Sequence, residues 1–431
     1  MFKSPLAGAA RRTIAEPQIV AMLLIRNWPF ELRRGDRARS EAEIRAVLER
    51  LVALGLPCER DAGGGRLFDI AEVTNFLIWA GIHLGDPTLE RQVVATARRL
   101  IREPHGRAWD DGADAPPDEV LGPRRFAVTL RRQFNLAGYV PGRRLRLRLP
   151  VPVEDAVLGD LSVDFLPPTG IEVETSTGPG RVDFIMAVPS EPEVTVGIAM
   201  TFTARPSPVP GVPEDLSPEE RELYTRPHEG LLRTSPRIEA LAHRIAEGAA
   251  SAEATVARFW DFFLREFAIG YVHYDLLDRE WPLDTALDSG WFDCVVGSTL
   301  LVAMCRVRGI PARIVSGYFL YPSTPSYHTW FEVWFDRTGW QPIDLFGWGL
   351  TMDRSQSGDW REYFYGWIDY RMVIERPPLL FAGTGGVRVP RAWDMLCSAE
   401  GKGSALEIRE AGSDIVVYRE YSEVSVISDR G

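Results

Sequence analysis

Helical and extended periods divide this 431-residue chain into regions. Near the start, Ser40-Glu41-Ala42-Glu43 forms a capping box, and Ile44, Val47, Leu48, Leu51 and Val52 follow at helical spacing until Gly55. A second helix is predicted from Asp86-Pro87 through Val93, Ala97, Leu100 and Ile101, with proline at its first position. Between them, Gly63-Gly64-Gly65 leads into Arg66-Leu67-Phe68, a glycine-tipped hairpin behind a helix. That order suits a winged-helix-like unit or a packing and docking module. Residues 1–140 are therefore expected to be mostly helical, with Asp110 to Pro123 as an exposed linker.

From Arg144 the period becomes two. Arg144-Leu145-Arg146-Leu147-Arg148-Leu149 alternates as a strand with one buried face, its arginines on the solvated side. Short strands follow at Ile171–Thr175, Val182–Val188 and Val194–Phe202, which predicts a small β-sandwich over 141–206. After the proline-rich connector Pro206 to Pro213, Ser235-Pro236 and Ser251 each start an amphipathic helix. The apolar stripe of the second (Val256, Phe259, Trp260, Phe263, Phe267) reads as core. Another helix is predicted from Val295 to Arg308, stopped by Gly309 and Pro311, then strands at Arg313–Leu320 and Thr329–Phe335. This gives an α+β core over 207–370. Ile408 to Val426 alternates well enough for two strands of an added sheet, a C-terminal β extension over 371–431.

Candidate chemistry sits on the core. Cys294 opens the predicted helix, His328 heads the second strand, and Asp344 follows a third strand after the turn at Gly339. A cysteine in the first turn of a helix faces the positive dipole end, which lowers its pKa. An imidazole can take the thiol proton, and a carboxylate can fix the imidazole tautomer. Thiol, imidazole and carboxylate are thus the parts of a nucleophilic acyl-transfer site. Asp293, beside the thiol, opposes thiolate formation where its side chain faces the sulfur.

Cys294, the run Arg308-Gly309-Ile310-Pro311-Ala312-Arg313-Ile314-Val315-Ser316-Gly317-Tyr318, then His328-Thr329-Trp330-Phe331-Glu332-Val333 and Gly339-Trp340-Gln341-Pro342-Ile343-Asp344 together resemble the core of the transglutaminase-like superfamily. The resemblance implies a papain-like fold, preceded in many bacterial members by a β domain. It also implies a Cys-His-Asp triad, with Cys294 as nucleophile, His328 as general base and acid, and Asp344 as orienter. Relatives often carry a glycine close before the cysteine and an acid two residues after it; here Trp291-Phe292-Asp293 precede and Val296 follows. The oxyanion hole is expected to use the Cys294 backbone N–H with a second donor from upstream, Trp281 or Tyr274. Trp291, Trp330 and Trp348 are candidate walls of the substrate cleft. The implied reaction is acyl transfer through a thioester acyl-enzyme, as peptidase, amidase, transglutaminase or amide synthase, on a peptide, protein or carrier-bound acyl substrate with water or an amine as acceptor. The alternative is an inactive binding module on the same fold.

Composition narrows the partners. A net charge of −11 argues against nucleic-acid binding driven by phosphate contacts. The four cysteines (Cys58, Cys294, Cys305, Cys397) and six histidines are scattered, so neither a disulfide framework nor a zinc site is suggested, and no cofactor is expected. The apolar run Ile19 to Ile25 is too short to span a bilayer. No membrane association is expected, and a reducing cytoplasm suits a free catalytic thiol.

Overall fold

The structure, a computed structural model, describes residues 13–26, 40–69, 72–73, 76–77, 122–136, 139–152, 154–178, 180–191, 193–207, 215–229, 231–269, 272, 277–278, 280–321, 325, 327–345, 347, 364–375, 408–409 and 418–427. The helix expected after Asp86-Pro87 lies outside them. In the N-terminal part, β1 (Thr13–Ala15), α1 (Glu16–Arg26), α2 (Glu41–Ala53), β2 (Glu59–Arg60) and β3 (Arg66–Asp69) form a small unit with strand order β1-β3-β2. The capping box at Ser40 and Glu43 is present. Ile44, Leu48, Leu51 and Phe68 are buried in this unit's own core. Glu16 ties the unit together, pairing with Arg45 at 2.8 Å and Arg66 at 2.7 Å.

The sandwich is larger than its predicted span. It is built from β4 (Arg124–Asn135), β5 (Arg144–Pro150), β6 (Leu158–Leu166), β7 (Val173–Gly178), β8 (Arg181–Ala187) and β9 (Glu193–Ala204). Strand β4 lies within the stretch expected to be helical, and it pairs with β9 along its whole length. Its sequence, Arg-Arg-Phe-Ala-Val-Thr-Leu-Arg-Arg-Gln-Phe-Asn, has a two-residue period whose buried positions are Phe126, Val128, Leu130, Arg132 and Phe134, masked by the arginines within and beside it. Leu145, Leu147 and Leu149 point inward from β5, as their alternation requires. On the outer face Arg144 pairs with Glu174 and Arg146 lies 3.8 Å from Asp183.

The core follows. Its helices are α3 (Pro218–Leu223), α4 (Pro236–Ala246), α5 (Ala252–Glu266), α6 (Asp284–Ser289) and α7 (Cys294–Val307), with the antiparallel pair β10 (His228–Glu229) and β11 (Leu232–Arg233) between α3 and α4. Residues 295–306 of α7 are all buried, as expected of a helix apolar on every side. The helix packs on a four-stranded antiparallel sheet. That sheet comprises β14 (Ala312–Phe319), β15 (Tyr327–Phe335), β16 (Gly339–Ile343) and β17 (Arg371–Glu375), in the order β16-β15-β14-β17. Two short strands, β12 (Ala268–Ile269) and β13 (Trp291–Phe292), pair in parallel just before the helix. Gly309, at φ 69°, ends α7, with Ile310 N–H returning to Cys305 C=O at 3.0 Å, a left-handed cap open to glycine at little cost.

The described C-terminal strands join the sandwich sheets rather than forming a sheet of their own. Strand β18 (Ile408–Arg409) extends the sandwich sheet β18-β5-β8-β7, and β19 (Tyr418–Ile427) extends β19-β4-β9-β6. Strand β17, by contrast, is the edge of the core sheet. One face of that sheet serves two neighbours: Ala312 and Ile314 lie under the helices, while Tyr318 and Leu320, further along β14, join the sandwich core. Arg132 of β4, fully buried, donates from Nη2 to the Tyr318 hydroxyl at 2.9 Å.

Gly317 is where β14 and β17 meet most closely. A Cβ there would stand 2.2 Å from the Met372 carbonyl oxygen, and the pairing shifts register at this point. Gly317→Ala is expected to cost about 3 kcal/mol or more, since backbone cannot yield as a side chain does. Urea unfolding measures it, and an unchanged midpoint would show that the strands separate without penalty.

Candidate active site

Three elements deliver the three predicted side chains. Cys294 is the first residue of α7, and Asp293 is its cap, with the carboxylate accepting from Val295 N–H at 3.1 Å and Val296 N–H at 2.9 Å. This cap stabilises the helix by about 1 kcal/mol, and it places a negative charge next to the sulfur. Gly297 has no side chain because the Phe292 ring fills its place, 2.3 Å from where a Cβ would stand. Cys294 is partly buried. One turn further on, the Ser298 hydroxyl donates to the Thr329 carbonyl at 3.4 Å, which sets the start of α7 against the start of β15, beside the residue that follows His328. Burial pushes the thiol pKa up, Asp293 and then Asp344 push it further, and the hydrogen bonds from Thr329 and Val295 oppose them.

His328 is 1% exposed and sits opposite Gly317 in the β14–β15 pairing. Its Nε2 lies 2.9 Å from Asp344 Oδ2. The ring stacks on Phe319 at 4.1 Å, 19° from parallel, with Trp330 beyond at 6.1 Å. Asp344, also 1% exposed, follows β16, and Gly347 N–H donates to its Oδ1 at 2.9 Å. A Cβ on Gly347 would meet Asp344 Oδ2 at 2.9 Å, so only glycine fits that turn without a shift. Burial raises the Asp344 pKa, but His328, Arg371 and the Gly347 N–H outweigh it and hold the carboxyl below its ordinary range. Burial, then Arg371, keeps the His328 pKa below its ordinary value against the pull of Asp344. The consistent state at neutral pH is an ionised Asp344 accepting from Nε2–H of a neutral imidazole. Nδ1 is then a lone-pair acceptor, available to a thiol proton.

A layer behind the carboxylate had no signal in the sequence. Arg371, the first residue of β17, is 1% exposed, with Nη2 3.2 Å from Asp344 Oδ2 and Nε donating to Asp369 Oδ1 at 2.6 Å. Asp369 also accepts from the Tyr321 hydroxyl. The guanidinium lies over the Phe319 ring, 4.2 Å from its centre. Arg371 heads an apolar strand with no motif around it, so only its position in space gives it meaning.

His328, Asp344 and Trp330 lie together in this region, and Cys294 heads the helix that packs on the strand carrying His328. Trp330 is fully buried, a wall behind the imidazole. Trp281 packs beside His228, ring centres 6.3 Å apart, and among the described residues no hydrogen bond joins its side chain to Cys294, His328 or Asp344. Tyr274, Trp348 and the Trp291 side chain lie outside the described residues. The Cys294 N–H is not among those that Asp293 takes.

Residues 239–345 match the family model described as the transglutaminase-like superfamily. The chain contains a transglutaminase-like core. Cys294, His328 and Asp344 all fall inside the matched span. Among solved structures, the chain is similar to a candidate cysteine protease from Cytophaga hutchinsonii (TM-score 0.47, 15% identity, covering 72% of this chain and 93% of that one). It is also similar to the periplasmic domain of TgpA from Pseudomonas aeruginosa (TM-score 0.27, 20% identity, 51% and 87%). No curated protein matches the chain. Among the described residues no helix is long and apolar enough to cross a membrane.

The buried pair makes stability depend on pH in a defined direction. The folded state lowers the His328 pKa below its ordinary 6.5, so as pH falls the unfolded chain binds that proton first. His328's contribution is complete above about 6.5 and is lost as pH drops below it. Asp344 acts in the same direction, but only below its ordinary 3.8. Urea unfolding at about pH 7.5 and about pH 5.5 should show wild type losing more stability than His328→Gln; equal losses would contradict a neutral buried imidazole.

Proposed function

We propose that the protein is a cysteine-dependent acyl-transfer enzyme that forms a thioester acyl-enzyme on Cys294. The observation that carries this reading is the buried His328–Asp344 pair at 2.9 Å, set on the strand against which the helix headed by Cys294 packs through Ser298 and Thr329. Cys294 and His328 rest as neutral thiol and neutral imidazole. As the sulfur attacks an amide, ester or thioester carbonyl, its proton passes to His328 Nδ1, the new S–C bond forms, and the carbonyl π electrons move onto oxygen. The Cys294 N–H donates to that oxyanion. On collapse, the C–X bond breaks, and the imidazolium, steadied by ionised Asp344, protonates the leaving nitrogen, oxygen or sulfur. Water or an amine then gives its proton to His328 and attacks the thioester, and the departing sulfur recovers the proton.

Substrates that suit this chemistry are peptides, proteins or carrier-bound acyl groups, and a reducing compartment would keep the thiol free. Water as acceptor makes the reaction hydrolysis; an amine makes it amide formation. Intact-mass detection of an acyl adduct on Cys294, with and without added amines, identifies donor and acceptor together. The competing reading, a binding module without turnover, draws on the upward push that burial and Asp293 give the thiol.

Iodoacetamide labelling separates the two. An enzyme requires labelling of Cys294 that is fast and falls sharply in His328→Ala, whereas slow labelling indifferent to His328 supports the binding module. Once a substrate is known, Asp344→Asn should lower kcat by roughly 10³–10⁴-fold with the fold intact, because the amide favours the wrong imidazole tautomer. Asp293→Asn keeps the cap but removes the charge, so the pH profile of labelling should move down by about one unit. An unmoved profile would mean that the Asp293 charge does not reach the sulfur.

A further inference from the structure

We infer that Arg371, clamped by Asp369, is a positioning residue for the acyl-transfer site: it supplies the fixed positive charge that lets Asp344 stay ionised beside an uncharged imidazole. The inference deepens the proposed acyl-transfer reading and rests on it for its catalytic meaning. Three distances carry it. The guanidinium is 3.2 Å from Asp344 Oδ2, 2.6 Å from Asp369 Oδ1 through Nε, and 4.2 Å from the centre of the Phe319 ring. Phe319 in turn stacks on His328 at 4.1 Å. The side chain is thus held by a carboxylate on one edge and an aromatic face, and all of these residues are nearly or fully buried.

The contact with Asp344 is electrostatic rather than directional, for Nη2 forms no hydrogen bond despite the 3.2 Å approach. Asp344 spends its hydrogen-bonding capacity on Gly347 N–H and His328 Nε2–H. A buried carboxylate without a cation would either take up a proton or draw one onto the neighbouring imidazole. A protonated His328 cannot accept from the thiol. Arg371 removes that demand, since a guanidinium keeps its charge at any working pH.

Among the described residues, the charged and titratable groups near the imidazole come from few elements. From the loop after β16 comes Asp344, and from β17 comes Arg371, with Asp369 and Tyr321 behind it. From α7 come Cys294 and its neighbour Asp293. Arg371 lowers the His328 pKa, while Asp344 and Asp369 raise it. Substitutions at the two ends of the clamp should therefore move the imidazole in opposite directions, a pattern that general loosening of the site does not produce.

The test is a titration of full-length protein carrying ¹³C,¹⁵N-labelled histidine, followed by NMR, with the His328 ring signals assigned by their loss in His328→Gln. Arg371→Met should raise the His328 pKa by about one unit, and Arg371→Lys should lie nearer wild type. Asp369→Asn should lower it. The acid limb of iodoacetamide labelling at Cys294 should follow each shift. Should Arg371→Met fail to fold by circular dichroism, Arg371→Gln takes its place, and its rise against the fall in Asp369→Asn carries the decision. An unmoved His328 in the folded variants, or shifts of one sign at both positions, overturns the inference. The NMR readout needs no turnover. If labelling proves independent of His328 while the titrations shift as stated, it is the acyl-transfer reading that fails and the electrostatic role of Arg371 that stands.

Discussion

A single buried carboxylate organises the centre of this molecule. Asp344 is surrounded by a backbone N–H, an imidazole N–H and a guanidinium, each arriving from a different element. Burying a charge costs several kcal/mol unless partners replace the water it loses. The position of β17, the turn at Gly347 and the orientation of His328 are all conditions for keeping that charge inside. With Asp344 ionised and Nε2 carrying a proton, the other imidazole nitrogen holds the lone pair that the proposed reaction would use as a base.

The β-sandwich is part of this arrangement. One face of the core sheet packs under α7 over Ala312 and Ile314 and under the sandwich over Tyr318 and Leu320. Arg132 bonds the Tyr318 hydroxyl from within the sandwich core, and the Tyr370 hydroxyl donates to the Gly122 carbonyl at 2.6 Å. Tyr370 immediately precedes Arg371. The strand that brings the guanidinium to Asp344 is thus anchored on its other face by the sandwich.

At the sulfur, two demands on one helix terminus conflict. Helix α7 needs a cap, and Asp293 provides it through Val295 and Val296. The same carboxylate works against ionising the thiol one residue later. Under the proposed acyl-transfer reaction, such a thiol would lose its proton during attack, which places more weight on a neutral imidazole than an ion-pair site would.

Local signals in the sequence were enough for much of the core. The apolar run of α7 and its stop at Gly309, the strands around His328, and the order cysteine, histidine, aspartate all depend on neighbours within a few residues, so periodicity, caps and motif expose them. The helical reading up to residue 140 failed at β4, where arginines flank the inward-facing Phe126, Val128 and Leu130 and disguise the alternation. The C-terminal strands were legible as strands, but not their destinations. Pairing partners such as β19 with β4, or β17 with β14, are chosen by contacts between residues far apart in the chain, and no local pattern records that choice. Arg371 shows the limit most clearly: in the sequence it is a charge at the head of a strand, and only the close approach of β17 to β14 at Gly317 turns it into the counter-charge of Asp344. The amino-acid order determined which chemical groups were available and the local elements holding them, because those follow from short-range sterics and hydrogen bonding. Tertiary packing decided which buried charges meet, because burial and Coulomb attraction act between parts of the chain that are neighbours only in space.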